Sequence, residues 1–228
     1  VTNPSTGTDS TTTTNLASVK KVQLVSTSSD FYMNVGDSVE LTVYALNSNN
    51  IGVASVPVSV QITDPSVTGV FSGISPNLVT DDTGKAVIKL DIKSLTNDQK
   101  NYLKQNGLVV TTTVGTVSTS KTLKGTDVNT TTPTPTVTVS NLLLISDSQN
   151  IALVKGTKVN VTALAVDKDN NIIPNTTIDF NIGNSVLSGI FANGNLSVLT
   201  NDRGEANLEL ELKSLSNEQI SYLLNTGL

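Results

Sequence analysis

Gly36 and Gly156 lie 120 residues apart, and so do Gly84 and Gly204, and Gly107 and Gly227. The register runs without a gap from Val22 to Leu108 on one side and from Leu142 to Leu228 on the other. Within it Gly69-Val-Phe71 matches Gly189-Ile-Phe191, Asp82 matches Asp202, Ser94-Leu95 matches Ser214-Leu215, and Tyr102-Leu103 matches Tyr222-Leu223. A long fixed period with matched glycines marks tandem copies of one domain. The 228 residues must therefore supply two cores. A hydrophobic fraction of 37%, with 4% aromatic, is lean for one large interior and sufficient for two small ones.

Each copy contains segments that alternate at period two. In the first they are Val39, Leu41, Val43 and Ala45; Val56, Val58, Val60 and Ile62; and Ala86, Ile88, Leu90 and Ile92. Their counterparts are Val159, Val161, Ala163 and Ala165; Ile178, Phe180 and Ile182; and Ala206, Leu208, Leu210 and Leu212. Successive strand side chains point to opposite faces, so this spacing predicts strands with one buried face. Val35-Gly-Asp37, Ser48-Asn-Asn50 and Asp81-Asp-Thr-Gly84 read as turns between them. Asp82 with Gly84, and Asp202 with Gly204, are the candidate structural turn residues; a side-chain oxygen just before the glycine is expected to accept backbone N–H groups. Short strands at this spacing suggest a sandwich.

One helix interrupts each copy. Thr96-Asn-Asp-Gln99 and Ser216-Asn-Glu-Gln219 have capping-box form, with Thr96 and Ser216 as N-caps. Gly107 and Gly227 suit the position just past a helix C-terminus. A helix of roughly ten residues is too short to stand alone, so it is expected to dock through Leu95, Tyr102, Leu103 and Leu108. Two more strands follow in the first copy, over 108–115 and 117–124. The second copy reaches Leu228 just before their equivalents, so it is expected to lack the final two strands.

Two segments fall outside the repeat. Residues 1–18 are mostly Thr, Ser, Asn and Gly, and residues 126–137 are rich in Thr and Pro. Both read as linkers, the second extended and semi-stiff, and as candidate carriers of O-linked sugars. The domains are then 19–125 and 138–228.

The segment Thr80-Asp-Asp-Thr-Gly-Lys-Ala-Val-Ile-Lys-Leu90, repeated as Thr200-Asn-Asp-Arg-Gly-Glu-Ala-Asn-Leu-Glu-Leu210, resembles the signature of bacterial immunoglobulin-like repeats of the invasin and intimin type. In that family a Thr-Asp-x-x-Gly-x-Ala turn leads into an alternating strand. Val35-Gly-Asp-Ser-Val-Glu-Leu-Thr-Val43 and Lys155-Gly-Thr-Lys-Val-Asn-Val-Thr162 fit its second-strand pattern. The resemblance covers nearly all of the first copy and all of the second that is present. It departs at the helices, 96–106 and 216–226, and at the missing final strands. It implies an all-β chain of two tandem immunoglobulin-like β-sandwich domains, each with one short inserted helix, joined by a Thr/Pro-rich linker. It also implies a structural stalk or adhesion repeat of a bacterial surface protein, projecting a distal binding module. The partners implied are neighbouring repeats of the same chain and host or bacterial surface molecules.

The composition narrows the function classes. With 14 cationic against 19 acidic residues and a net charge of −5, the chain shows no basic stripe, and Arg203 is its single arginine. Nucleic-acid binding needs clustered cations, so it is set aside. No apolar run reaches membrane-spanning length, the opening Val1-Thr-Asn-Pro-Ser5 does not read as a signal peptide and the chain is expected to be an internal fragment of something longer, and with no cysteine no disulfide can form. Cysteine and histidine are both absent, leaving no evident base to activate a serine, so the chain is expected not to be an enzyme. Asp167-Lys-Asp-Asn-Asn171 places oxygens alternately, which makes Asp167 and Asp169 Ca²⁺ candidates; the central glycine and distal Glu of a standard loop are missing. No other cofactor is expected. Two alternative functions stand beside the stalk: a strand-exchange module whose incomplete second copy accepts a partner's β-strand, and an accessory sandwich domain of a secreted enzyme.

Overall fold

The computed structural model describes residues 15–127, 138–148, 150–192 and 196–227. The described residues are built of β-strands in several open sheets, with few short helices and no closed barrel among them. In the first copy the strands are β1 (Lys21–Ser26), β2 (Asp30–Tyr32), β3 (Ser38–Leu46), β4 (Ser59–Gln61), β5 (Phe71–Ser72), β6 (Lys85–Ile92), β7 (Leu108–Val114) and β8 (Val117–Thr126), with helix α1 (Asn97–Gln105) before β7. They form two four-stranded sheets, in the orders β1-β3-β6-β5 and β2-β8-β7-β4. In the second copy β9 (Asn141–Ser146), β10 (Lys158–Val166) and β13 (Glu205–Glu211) form a sheet of order β13-β10-β9. β11 (Thr177–Asp179) pairs with β12 (Ser197–Leu199), and α2 (Asn217–Thr226) follows β13.

The two sheets that matter for the site have the same register. Leu41 pairs with Ser26 as Val161 pairs with Ser146, and Ser38 pairs with Asp91 as Lys158 pairs with Glu211. Register follows the apolar phase, because a slip of one residue would turn every core side chain to solvent. The main core lies between the two first-copy sheets, where Leu41, Val43, Leu90, Leu108 and Val110 are wholly buried. In the second copy Val159, Leu187, Ile190, Leu208, Leu210 and Leu212 form a smaller cluster with Leu223 of α2.

The strand expected over Val56–Ile62 is shorter than its alternation suggests. Only Ser59–Gln61 pairs regularly, with β7, while Pro57 makes an isolated bridge to Val79. Proline has no N–H to continue a ladder. The segments expected to be linkers are also trimmed. Residues 15–18 form a helical turn, and Leu16 packs on the main core. Thr126 still belongs to β8, and residues 1–14 and 128–137 lie outside the described residues.

Both helices carry complete capping boxes. Thr96 accepts from the Gln99 N–H and Ser216 from the Gln219 N–H, and each glutamine side chain accepts in return from the N-cap N–H. Gly107, at φ +80°, follows the C-cap Asn106, whereas Gly227, at φ +78°, is itself the capping residue. Leu103 is buried beneath α1 and Tyr102 and Leu95 lie half-buried around it.

Candidate functional site between the two copies

The outer face of β3, opposite the core set Val39 to Ala45, ought to meet water in a free sandwich. Instead Tyr44 and Leu46 are 3% and 0% exposed. Together with Val25 of β1 they form one cluster with Leu143, Ile145, Leu164, Val166 and Ile172. Equivalent sheet faces of the two copies therefore pack on each other, and desolvation of these side chains supplies the main attraction.

A charged centre sits beside this cluster. Lys85 Nζ donates to Glu205 Oε1 at 2.5 Å, and the two side chains are 13% and 10% exposed. Tyr44 donates its hydroxyl to the same oxygen at 2.7 Å. Asn201 Nδ2 donates to Glu205 Oε2 at 3.2 Å, and the Lys85 ammonium lies 6.0 Å from the centre of the Tyr44 ring. Burial works to raise the Glu205 carboxyl, but the hydrogen bonds from Lys85, Tyr44 and Asn201, with the lysine charge, outweigh it and hold the carboxyl below its ordinary range. Burial first, then the adjoining Glu205 carboxylate, pushes the Tyr44 hydroxyl far above the usual tyrosine range, so Tyr44 acts as a fixed donor. A cleft of about 270 Å³ opens here, lined by Tyr44, Thr83, Lys85, Glu205 and Asn207 among others.

A second polar contact lies at the 167–171 turn. Lys121 of β8, 6% exposed, donates to the Asp169 carbonyl at 2.5 Å and to Asn171 Oδ1 at 3.1 Å. Asn171 Nδ2 donates to Ser29 Oγ at 2.6 Å, and Gln23 Nε2 donates to Asn170 Oδ1 at 2.8 Å. Burial lowers the Lys121 pKa, against the pull of Asp167 and Asp169. Backbone bridges join Ser26 to Asn171 and Ile51 to Ser146.

Asp167 Oδ1 accepts the N–H groups of Asp169 and Asn171 at 2.8 and 2.9 Å, and Oδ2 accepts from Asn171 Nδ2 at 2.8 Å. Burial opposes the Asp167 charge, but these donors and Lys121 keep its carboxyl below the ordinary value. Asp169 faces Lys168 at 2.6 Å. The pair thus serves a turn that a lysine ammonium grips, and no group of three metal-ligating side chains occurs among the described residues.

At the other turns the oxygen comes from the residue before the one expected. Asp81 Oδ1 accepts from the N–H groups of Thr83 and Lys85, and Asn201 Oδ1 accepts from those of Arg203 and Glu205. Asp82 and Asp202 are exposed. Gly84, at φ +76°, has Ala45 O and Val53 N within 2.6 Å of where a Cβ would stand, so both conformation and space require glycine; Gly204 sits alike at φ +70°. None of the expected residues belongs to the charged centre. Tyr44, Lys85, Glu205 and Lys121 were not singled out by the sequence reading.

Comparisons with known proteins add only distant likenesses. No family model and no curated protein matches the chain. Among solved structures, the Yersinia pseudotuberculosis adhesin InvE aligns at 18% identity and TM-score 0.31, over 89% of this chain and 52% of that one. The Escherichia coli adhesin FdeC aligns at 13% and 0.32, over 86% and 56%. The S-layer protein SbsC aligns at 12% and 0.33, over 85% and 21%. The chain thus spans about half the length of the two adhesin chains. At such identities and TM-scores none of them identifies it. No helix among the described residues is long and apolar enough to cross a membrane.

Proposed function

We propose that the chain is a pair of immunoglobulin-like sandwich repeats acting as a rigid spacer in a bacterial cell-surface adhesin, outside the cell, with binding left to a distal module and no catalysis of its own. The observation that carries this reading is the buried face between the copies. Apolar side chains, a buried ion pair and backbone bridges fasten one repeat to the next, as a spacer needs if it is to hold its direction. The ionisable groups there, Glu205, Tyr44, Asp167 and Lys121, are each hydrogen-bonded to protein partners. The repeat signature around Gly84 and Gly204 supports the surface role by resemblance.

Single-molecule extension of the chain tests it. Discrete, resisted unfolding events are expected for each repeat; gradual lengthening without discrete events overturns the spacer role. Incubation with host cells and matrix proteins is expected to give no saturable binding, and saturable binding assigns direct adhesion to these repeats instead.

One observation favours the strand-exchange alternative. Leu142 and Leu144, on one face of β9, are 51% and 54% exposed, so this uncovered face would accept a strand or hairpin of alternating apolar residues as the missing layer. A concentration-dependent dimer in solution would support that reading over the spacer.

A further inference from the structure

The backbone contacts between the two copies are related by exchange. Ser26 bridges Asn171, and Ser146, the counterpart of Ser26, bridges Ile51, the counterpart of Asn171. Ile172 N–H donates to Ser26 O at 2.9 Å, and its counterpart Gly52 N–H donates to Ser146 O at 3.4 Å. An interface in which residue i meets residue j of the partner, while j meets i, is isologous: one patch packed on its own likeness about a two-fold axis. Here the two patches belong to two copies in one chain.

On such an interface a residue that touches its own counterpart lies at the axis. Lys85 and Glu205 are counterparts, separated by 120 positions, and they touch. The apolar surround does not tell one copy from the other, because Val25 answers Ile145 and Leu46 answers Val166, both pairs in one cluster. The axial position does. Two first copies facing each other would bury Lys against Lys, and two second copies would bury Glu against Glu. A buried charge without a partner is strongly unfavourable, whereas the mixed pair is neutralised and hydrogen-bonded. The neighbours reinforce the difference. The first copy contributes the Tyr44 hydroxyl as a further donor to Glu205, and the second has Leu164 in its place.

We propose that Lys85 and Glu205 are a pairing code: the β1–β3–β6 face accepts a repeat carrying an acidic residue at the position equivalent to Lys85, and rejects a repeat carrying lysine there, including a second copy of itself. The shared apolar patch supplies attraction and the axial charge selects the partner. In an array of such repeats this position adds a charge test to the one-sided Lys121 contact. The inference concerns only this face and holds whether or not the chain serves at a cell surface.

The test uses the whole chain with reporter cysteines, which nothing else in the sequence would compete with. Ile51→Cys and Ser146→Cys stand at bridged positions, within reach of a disulfide. Their rate of oxidative crosslinking within one chain measures closure of the face. Lys85→Glu and Glu205→Lys, each alone, are expected to slow crosslinking at least tenfold, and the double reversal Lys85→Glu/Glu205→Lys is expected to restore most of the rate. Amide spectra of each single variant separate an open interface from an unfolded copy, since the first-copy core around Leu41 and Leu90 should keep its dispersion. Single reversals that crosslink as fast as the parent, or a double reversal no faster than either single, refute the code.

Discussion

Val22 and Leu24 of the first copy are 7% and 2% exposed, whereas their counterparts Leu142 and Leu144 are 51% and 54% exposed. The strands that carry them pair in the same register. Leu41 and Met33 are likewise buried where Val161 and Leu153 are only half-buried. The cause is the layer above. In the first copy β7 and β8, joined by a turn at Gly115, form the sheet that closes over β1, and nothing equivalent covers β9 among the described residues. Alternation therefore decides which side chains could be buried, and a second layer decides which are.

The largest expected effect tests that difference directly. Leu24→Ala should destabilise the first copy by about 3 kcal/mol, the cost of a cavity in a closed core. Leu144→Ala should cost less than about 1 kcal/mol, as for an exposed position. Urea unfolding followed by amide signals from each copy measures both. Equal costs would break the comparison and mean that the β9 face is covered in solution.

A second test asks how far the first copy supports the second. Lys121→Ala leaves the Asp169 carbonyl without its buried donor and the Asn171 amide oxygen with only Ser26 Oγ at 3.3 Å, at a cost of about 2 kcal/mol. The loss should fall on the second copy although the residue belongs to the first. Probes in the two copies, unfolding together in the parent, should separate in the variant. A transition that stays single would show that the apolar cluster alone couples them.

Much of this was legible in the sequence, for reasons that also explain the rest. The core strands announce themselves through period-two patterning, and the helices through the Thr96 and Ser216 boxes, because both signals are local. The turn oxygen expected at Asp82 and Asp202 lies one residue earlier, because matching copies rewards identity. The position that does the work is Asp81 in one copy and Asn201 in the other, chemically alike but not identical. The face between the copies was missed although a signal exists. Val43-Tyr-Ala-Leu46 and Ala163-Leu-Ala-Val166 are apolar in both phases, as strands covered on both sides are. Lys85 and Glu205 look like ordinary drift between copies, and their opposite charges gain meaning only once the faces meet.

Acid should weaken the contact between the copies before it weakens either core. The Glu205 carboxyl is lower in the folded chain than its ordinary value of 4.5. Its contribution is therefore complete above that value and is lost as pH falls through the folded one. Hydrogen bonds to a charged group place the loss at about 1.5 kcal/mol. Stability against pH, compared between the parent and Glu205→Gln, should show a steeper acid limb in the parent. Parallel curves would mean that Glu205 is already neutral, and that Lys85 and Tyr44 hold it by hydrogen bonding alone.

The smallest effect compares the two helices. Thr96→Ala and Ser216→Ala each remove one side-chain acceptor from an otherwise identical capping box, at about 1 kcal/mol. The consequences should differ because the surroundings differ. α1 packs against β8 and the 3₁₀ turn at Pro65–Val67, and Leu103 beneath it is fully buried, whereas Leu223 beneath α2 is 8% exposed and Leu224 is 74% exposed. Loss of the Thr96 cap should therefore appear as a lower global stability of the first copy, since α1 can fray only by opening the core. Loss of the Ser216 cap should appear as faster amide exchange confined to 217–226, with the rest of the second copy unchanged. Hydrogen exchange resolved by residue distinguishes the two, and a Ser216→Ala effect spread through β10 and β13 would show that α2 supports its sheet as closely as α1 does.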